Sequence, residues 1–140
     1  MRVIIDTNVL ISYLVQPGHE GAVGAVVQAA LEGRFTLLMP QAVLDEVDVT
    51  VRGKPRLSKR IPIRDLELFT GLIGQFSEHI DEIKEPFPAV TRDRNDDYLL
   101  AYARVAAADY LVTGDKDLLV LQGQISGLEI VTPSDFVEIL

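Results

Sequence analysis

The stretch Val3-Ile4-Ile5-Asp6-Thr7-Asn8-Val9-Leu10 constrains the chain more than any other. Three β-branched residues run straight into a carboxylate, with no polar interruption. A short apolar run of this kind reads as a fully buried strand of a parallel sheet. Asp6 then stands at the carboxyl end of that strand. In open α/β sheets that edge is where ligands bind. An acid joined to a buried strand is costly unless it is paired or coordinated, so Asp6 needs partners from elsewhere in the chain.

The remaining pattern supplies a scaffold for them. Apolar runs predict strands over 2–5, 36–39, 80–83, 110–113 and 128–131. Between them, helical periodicity covers 18–33, with Ala22, Val23, Val26, Val27, Ala30 and Leu31 on one face. Residues 41–51 form a second helix, with Leu44, Val47 and Val51 on one face and Glu46 off it. Gly53-Lys54-Pro55 reads as a loop. A helix follows Pro62, with Leu66, Phe69, Leu72, Ile73 and Phe76 as its buried stripe. Pro86 and Pro88 mark an extended loop. The Asp-rich segment 93–97 sits where a helix N-terminus favours carboxylates, ahead of Leu99, Leu100, Ala103, Ala106 and Ala107. A short helical turn holds Leu118, Leu119 and Leu121. Thr132-Pro133-Ser134-Asp135 resembles a capping box that opens a last helix. Alternating strands and helices predict an α/β fold with a parallel sheet and right-handed crossovers, built as one domain over 1–140.

Composition excludes several chemistries. There is no cysteine, hence no disulfide, thiolate metal site or cysteine nucleophile. No run approaches the roughly 18 apolar residues of a spanning helix. The N-terminus, with Arg2 followed by a strand and an acid, is not a secretory signal. A cytoplasmic location without membrane association is therefore expected. The net charge of −8 argues against nucleic acid as a partner. The charge is uneven, however. Arg52, Lys54, Arg56, Lys59, Arg60 and Arg64 lie in one stretch with no acid among them, out of thirteen Lys and Arg in all.

The acids fall at sheet-edge positions. Asp6 ends the first strand, Glu46 lies on the helix after the second, Asp96 and Asp97 open the helix before the fourth, and Asp115 and Asp117 follow that strand. Helix capping accounts for Asp93, Asp96 or Asp97 taken singly, turn chemistry accounts for Asp115 and Asp117, and solvation for Glu46. In a parallel sheet, strand ends and helix starts share one edge, so several of these carboxylates can converge there. Converging carboxylates repel and raise one another's pKa. A divalent cation removes the conflict, and hard oxygen donors suit Mg²⁺ or Mn²⁺. Such ions activate water and stabilise a leaving oxygen in phosphodiester hydrolysis. His19 and His79, single histidines flanked by turn or helix-end residues, read as surface residues.

Two motifs carry a resemblance. Val-Ile-Ile-Asp-Thr-Asn-Val-Leu-Ile-Ser at 3–12 resembles the opening of the PIN domain nucleases. Leu-Val-Thr-Gly-Asp-Lys-Asp-Leu-Leu at 111–119 resembles their second hallmark, with the Asp-rich segment 93–97 ahead of it. The likeness spans essentially the whole chain and is strongest to the small prokaryotic proteins of the VapC type. It implies a three-layer α/β/α sandwich around a parallel sheet of four or five strands, and a metal-dependent ribonuclease acting with Mg²⁺ or Mn²⁺. The family's acids carry over onto Asp6, Glu46, Asp96 and Asp115, with Asp117 as a frequent fifth metal ligand. Asn8 and Thr113 match positions that support the pocket. Arg94 and Asn95 stand where the family often has a proline and an acid, so Asp93 or Asp97 shares the candidacy of Asp96. Arg52, Lys54, Arg56, Lys59 and Arg60 become candidates for RNA phosphates, or else form a solvated loop. The resemblance further implies a cognate antitoxin, if the chain is the toxin of a pair, and a homodimer, for which Phe136, Val137, Ile139 and Leu140 are either an interface or a cover for the sheet.

Other classes fit less well. A response-regulator receiver needs an acidic pair after the first strand and an acceptor Asp after the third, where this chain has Asp6-Thr7-Asn8 and Glu82-Ile83-Lys84-Glu85. A haloacid-dehalogenase phosphatase needs an acid two residues past Asp6, where Asn8 stands. The standing alternative is a catalytically inactive interaction module that keeps the fold and binds a protein or RNA partner.

Overall fold

A computed structural model of the chain describes residues 1–18, 21–84 and 94–140, with residues 94 and 95 described by their backbone alone. The elements in chain order are β1 (Arg2–Ile5), α1 (Thr7–Val15), α2 (Ala22–Leu31), β2 (Thr36–Pro40), α3 (Gln41–Gly53), α4 (Pro55–Ser58), α5 (Ile63–Phe76) and β3 (Glu78–Ile80). After these come α6 (Arg94–Val105), β4 (Tyr110–Val112), α7 (Lys116–Leu119), β5 (Glu129–Val131) and α8 (Pro133–Ile139).

β1 is apolar on both faces and takes the centre of the sheet. Val3, Ile4 and Ile5 are wholly buried. The strand order is β3-β2-β1-β4-β5, parallel throughout. Val3 registers with Leu37 on one side and Tyr110 on the other. The chain thus builds outward from β1 to β3, then returns to the far side of β1 for β4 and β5. Right-handed crossovers place α1 to α5 on one face and α6 and α7 on the other, giving three layers. α8 comes back to pack on α2. Its Phe136 is fully buried, with its ring edge-on to Phe35 and Tyr110 at 5.3 and 5.5 Å. Of the apolar C-terminal residues, Phe136 therefore covers the sheet, while Ile139 is exposed.

The structure departs from the sequence reading in identifiable places. Periodicity shows no helix over Thr7–Val15, yet α1 is there. Its Thr7, Val9, Leu10, Ile11 and Leu14 are all buried, and a helix so widely apolar has a weak amphipathic period. The loop expected at Gly53-Lys54-Pro55 is instead the end of α3 and the start of α4, where Pro55 occupies the first turn and Leu57 is buried. On α5 the buried stripe is Leu66, Phe69 and Ile73; Leu72 lies one position round the helix from Ile73, Phe76 is the last residue of the helix, and both are exposed. The third strand is not 80–83 but Glu78–Ile80, an edge strand whose polar residues face solvent. Ala107 lies off the apolar face. It adopts φ +53° in the left-handed turn that ends α6, and the Ala108 N–H donates to the Ala103 carbonyl at 2.8 Å. His79 is exposed. His19, Pro86, Pro88 and Asp93 lie outside the described residues. Among the described residues, no helix is long and apolar enough to cross a membrane.

The expected cap at 132 is present: Thr132 Oγ1 accepts from the Asp135 N–H at 3.1 Å, with Pro133 at the first helical position. Because α8 holds Phe136 in place, losing this cap weakens more than one short helix. Thr132→Ala is expected to cost about 1 kcal/mol, read as a melting temperature lower by roughly 2–4 °C in thermal denaturation.

Candidate metal centre

Strand pairing assembles the site. β1 and β4 are neighbours at the point where the strand order reverses, and an α/β sheet opens a crevice there at its carboxyl edge. Asp6 follows β1 directly, and 113–115 follow β4. The Asp6 N–H continues the ladder, donating to the Val112 carbonyl at 2.9 Å. The buried Thr113 hydroxyl joins the two strand ends: it donates to Asp6 Oδ2 at 2.7 Å and accepts from the Asp115 N–H at 3.0 Å. Asp115 caps α7 through Oδ1, which accepts from the Asp117 N–H at 2.9 Å. Asp96 lies buried in the first turn of α6. Glu46, on α3, is held from two sides, since Oε2 accepts from Thr7 Oγ1 at 3.1 Å and from the Tyr98 hydroxyl at 2.5 Å.

Asp6, Glu46, Asp96 and Asp115 line one small cavity of about 80 Å³, together with Thr7, Asn8 and Tyr98. Asp117 is exposed beside it. Asp96, Asp115 and Asp117 each offer a carboxylate oxygen, and these oxygens all lie within 4.8 Å of one another. This grouping draws on Asp117, while Asp6 and Glu46 line the cavity with Asp96 and Asp115. Asp97 is buried but lines a different groove, with Leu100, Arg104 and the segment 124–128. Asn8 and Lys116 are exposed. Thr7 and Tyr98 escape the sequence reading. The signal for Tyr98 is weak: a phenol heading an apolar helical face, where a buried ring needs a partner for its hydroxyl.

The electrostatics follow from this convergence. Burial pushes the Asp6 carboxyl above the usual carboxylate range. The Thr113 hydroxyl and the Thr7 N–H pull it back, and the charges of Asp115 and Glu46 push it further up. Burial, then the bond to Glu46, holds the Tyr98 phenol well above its ordinary value, so it stays a donor. Three of the acids sit at helix N-termini: Asp6 before α1, Asp96 in the first turn of α6, Asp115 before α7. The positive ends of those helices offset part of the repulsion. The donor set is carboxylate oxygen throughout, without sulfur or imidazole, which fits a hard divalent cation.

The basic stretch lies farther along α3. Gly53 is about 10 Å along the helix axis from Glu46, and α4 packs on α3 there. The Arg52 guanidinium is engaged by Asp48 at 2.9 Å and Glu67 at 3.4 Å. Lys54, Arg56, Lys59, Arg60 and Arg64 are exposed.

A parallel α/β sheet with an acidic cavity at its switch point defines the class of protein. Within that class, a PIN domain family model matches residues 2–117, and the chain belongs to the PIN domain family of nucleases. Among solved structures, it is similar to VapBC2 from Rickettsia felis bound to a DNA fragment from their promoter. That match has 15% identity and a TM-score of 0.60, over 94% of this chain and 98% of that one. It is also similar to the PIN domain of human SMG5, at 16% identity and a TM-score of 0.54, over the full length of both chains. At such identities the likeness is one of fold. A comparison with curated proteins finds no match.

Proposed function

We propose that this chain is an endoribonuclease that hydrolyses RNA phosphodiester bonds with Mg²⁺ or Mn²⁺. The observation that carries the reading is the convergence of Asp6, Glu46, Asp96 and Asp115 on one cavity, with Asp117 beside it. Asp96, Asp115 and Asp117 would hold a cation, and Asp6 would join from β1. When bound, the ion lowers the pKa of water and stabilises negative charge developing on the phosphate. Glu46 would join the ion directly or through water, or orient the attacking water. Thr113 holds Asp6 and the backbone of Asp115 in register. The five exposed cations from Lys54 to Arg64 contact phosphates without reading sequence, while Arg52 serves the fold through Asp48 and Glu67. The likeness in fold to VapBC2 supports pairing with an antitoxin.

The deciding experiment is cleavage of a fluorescent single-stranded RNA with Mn²⁺ or Mg²⁺, beside an EDTA control and Asp96→Asn. Cleavage that needs the metal and disappears in the variant is expected. Metal binding without cleavage of any RNA would replace the enzyme with an interaction module. Cleavage that survives Asp96→Asn would remove that residue from the site.

The basic stretch makes a separate prediction. Replacing Lys54, Arg56, Lys59 and Arg60 together by Ala is expected to raise KM about tenfold with kcat unchanged. The slope of log affinity against log salt should flatten by about 0.7 for each phosphate that is no longer neutralised. An unchanged slope would leave α4 a solvated turn.

A further inference from the structure

Two hydroxyls from two different helices meet the same oxygen of Glu46. Thr7, in the first turn of α1, and Tyr98, on α6, both donate to Oε2. A carboxylate oxygen has two lone-pair directions, so two donors take up the acceptor capacity of Oε2. Neither hydroxyl engages Oε1. The Tyr98 hydroxyl is itself held in direction. Its ring packs edge-on against Tyr102 at 5.8 Å, and the Tyr102 hydroxyl accepts from the Ile83 N–H at 3.1 Å. Tyr98 also shares α6 with Asp96. The bond therefore ties the helix that presents Glu46 to the helix that presents another acid of the cavity.

We propose that Thr7 and Tyr98 are positioning residues that commit Oε2 of Glu46, so that this carboxylate meets a cation or its water through Oε1 alone and the centre favours Mn²⁺ and Mg²⁺ over Ca²⁺. The inference rests on reading the cavity as a metal centre. Its chemistry is that of coordination number. Ca²⁺ takes six to eight oxygens and accepts both oxygens of one carboxylate, whereas Mg²⁺ demands a near-octahedral set at shorter range. Glu46 can give both oxygens only by breaking a bond to Thr7 or Tyr98. That penalty falls on the larger ion. In a cavity of about 80 Å³, little other freedom is left for a carboxylate to swing.

The test is calorimetric titration of the whole chain with Mn²⁺ and, separately, with Ca²⁺, for the unaltered protein, Tyr98→Phe and Thr7→Val. The unaltered chain is expected to bind Mn²⁺ more tightly than Ca²⁺. Each variant should weaken Mn²⁺ binding about tenfold, the scale for losing a group that orients a ligand, while Ca²⁺ binding holds or improves. Thr7→Ser, which keeps the donor, should restore the preference, and circular dichroism checks that each variant folds. Parallel loss of both ions, or no change in either, would overturn the positioning role while leaving the metal centre intact. An unaltered chain that binds neither ion would overturn the metal-centre reading and this inference with it.

Discussion

Asp6→Asn is expected to lower metal-dependent RNA cleavage by a factor of about 10³ or more and, in EDTA, to raise the melting temperature. The loss follows from removing a charged oxygen at the centre of the cavity. A factor of 10³ corresponds to about 4 kcal/mol of barrier, within the several kcal/mol that charge stabilisation by a cation supplies. The gain in stability follows from the same charge. Burial raises the Asp6 pKa in the folded protein, so the folded state holds the proton more tightly than the unfolded chain does. The stability this group contributes is fully present below the ordinary carboxylate range. It is lost as pH rises through the folded value. Above the ordinary carboxylate range and without a cation, an acid at position 6 is therefore a net cost, deepened by Asp115 and Glu46. Asparagine keeps the shape and an oxygen that can accept from Thr113. A gain of about 1 kcal/mol would appear as roughly 2–4 °C, larger at pH 8 than at pH 5. A variant both inactive and less stable would mean the cavity had collapsed rather than lost its charge. Full activity would remove Asp6 from the chemistry.

That trade-off explains why some of the molecule is legible from residues and some is not. β1, β2, β4 and β5 are legible because buried strands are uninterrupted apolar runs, and their parallel pairing follows from alternation with helices, whereas their order around β1 is seen only in the fold. α1 is not, because a helix apolar on nearly all sides has no period to detect. Leu72 falls on the wrong face of α5 in the sequence reading, since a one-position error in phase turns a side chain by about 100°, whereas Phe76 keeps the phase of Phe69 but is the last residue of the helix and exposed. At the cavity, Asp6 stands out because a carboxylate joined to Val-Ile-Ile is anomalous in one dimension. Asp115 follows from its place after the neighbouring strand. Glu46 is visible only as one acid among many on a helix, and nothing local separates it from Asp45 or Asp48. What distinguishes it is contact with Thr7, 39 positions away, and with Tyr98, 52 positions away. Links of that separation exist only once the sheet has formed. The same holds for Asp96 against Asp97. Adjacent acids on a helix point about 100° apart, and only the packed structure shows which one faces the cavity.

Saturating Mn²⁺ should raise the melting temperature of the unaltered chain by roughly 5–10 °C, and EDTA should reverse the shift. Ligand linkage gives about 2.7 kcal/mol of stabilisation at a free concentration 100 times Kd, and a chain of this size converts each kcal/mol into a few degrees. The source is the repulsion that the fold has already accepted in bringing Asp6, Glu46, Asp96 and Asp115 to one cavity. A cation cancels it in the folded state, whereas the unfolded chain, with its acids dispersed, gains little. The shift must shrink as pH falls toward the carboxylate range, because protons then compete for the same oxygens. With a net charge of −8, the chain will also attract cations loosely over its whole surface, and that attraction is screened by salt. NaCl at matched ionic strength separates the two, since it reproduces the diffuse effect and not the site. Asp6→Asn and Asp115→Asn separate them again. Each removes one charge of the −8, which barely alters the diffuse field, but each takes a donor from the cavity. A Mn²⁺ shift that survives in both variants would belong to the acidic surface, and the converged carboxylates would then be a strained feature of the fold with no cation to relieve it.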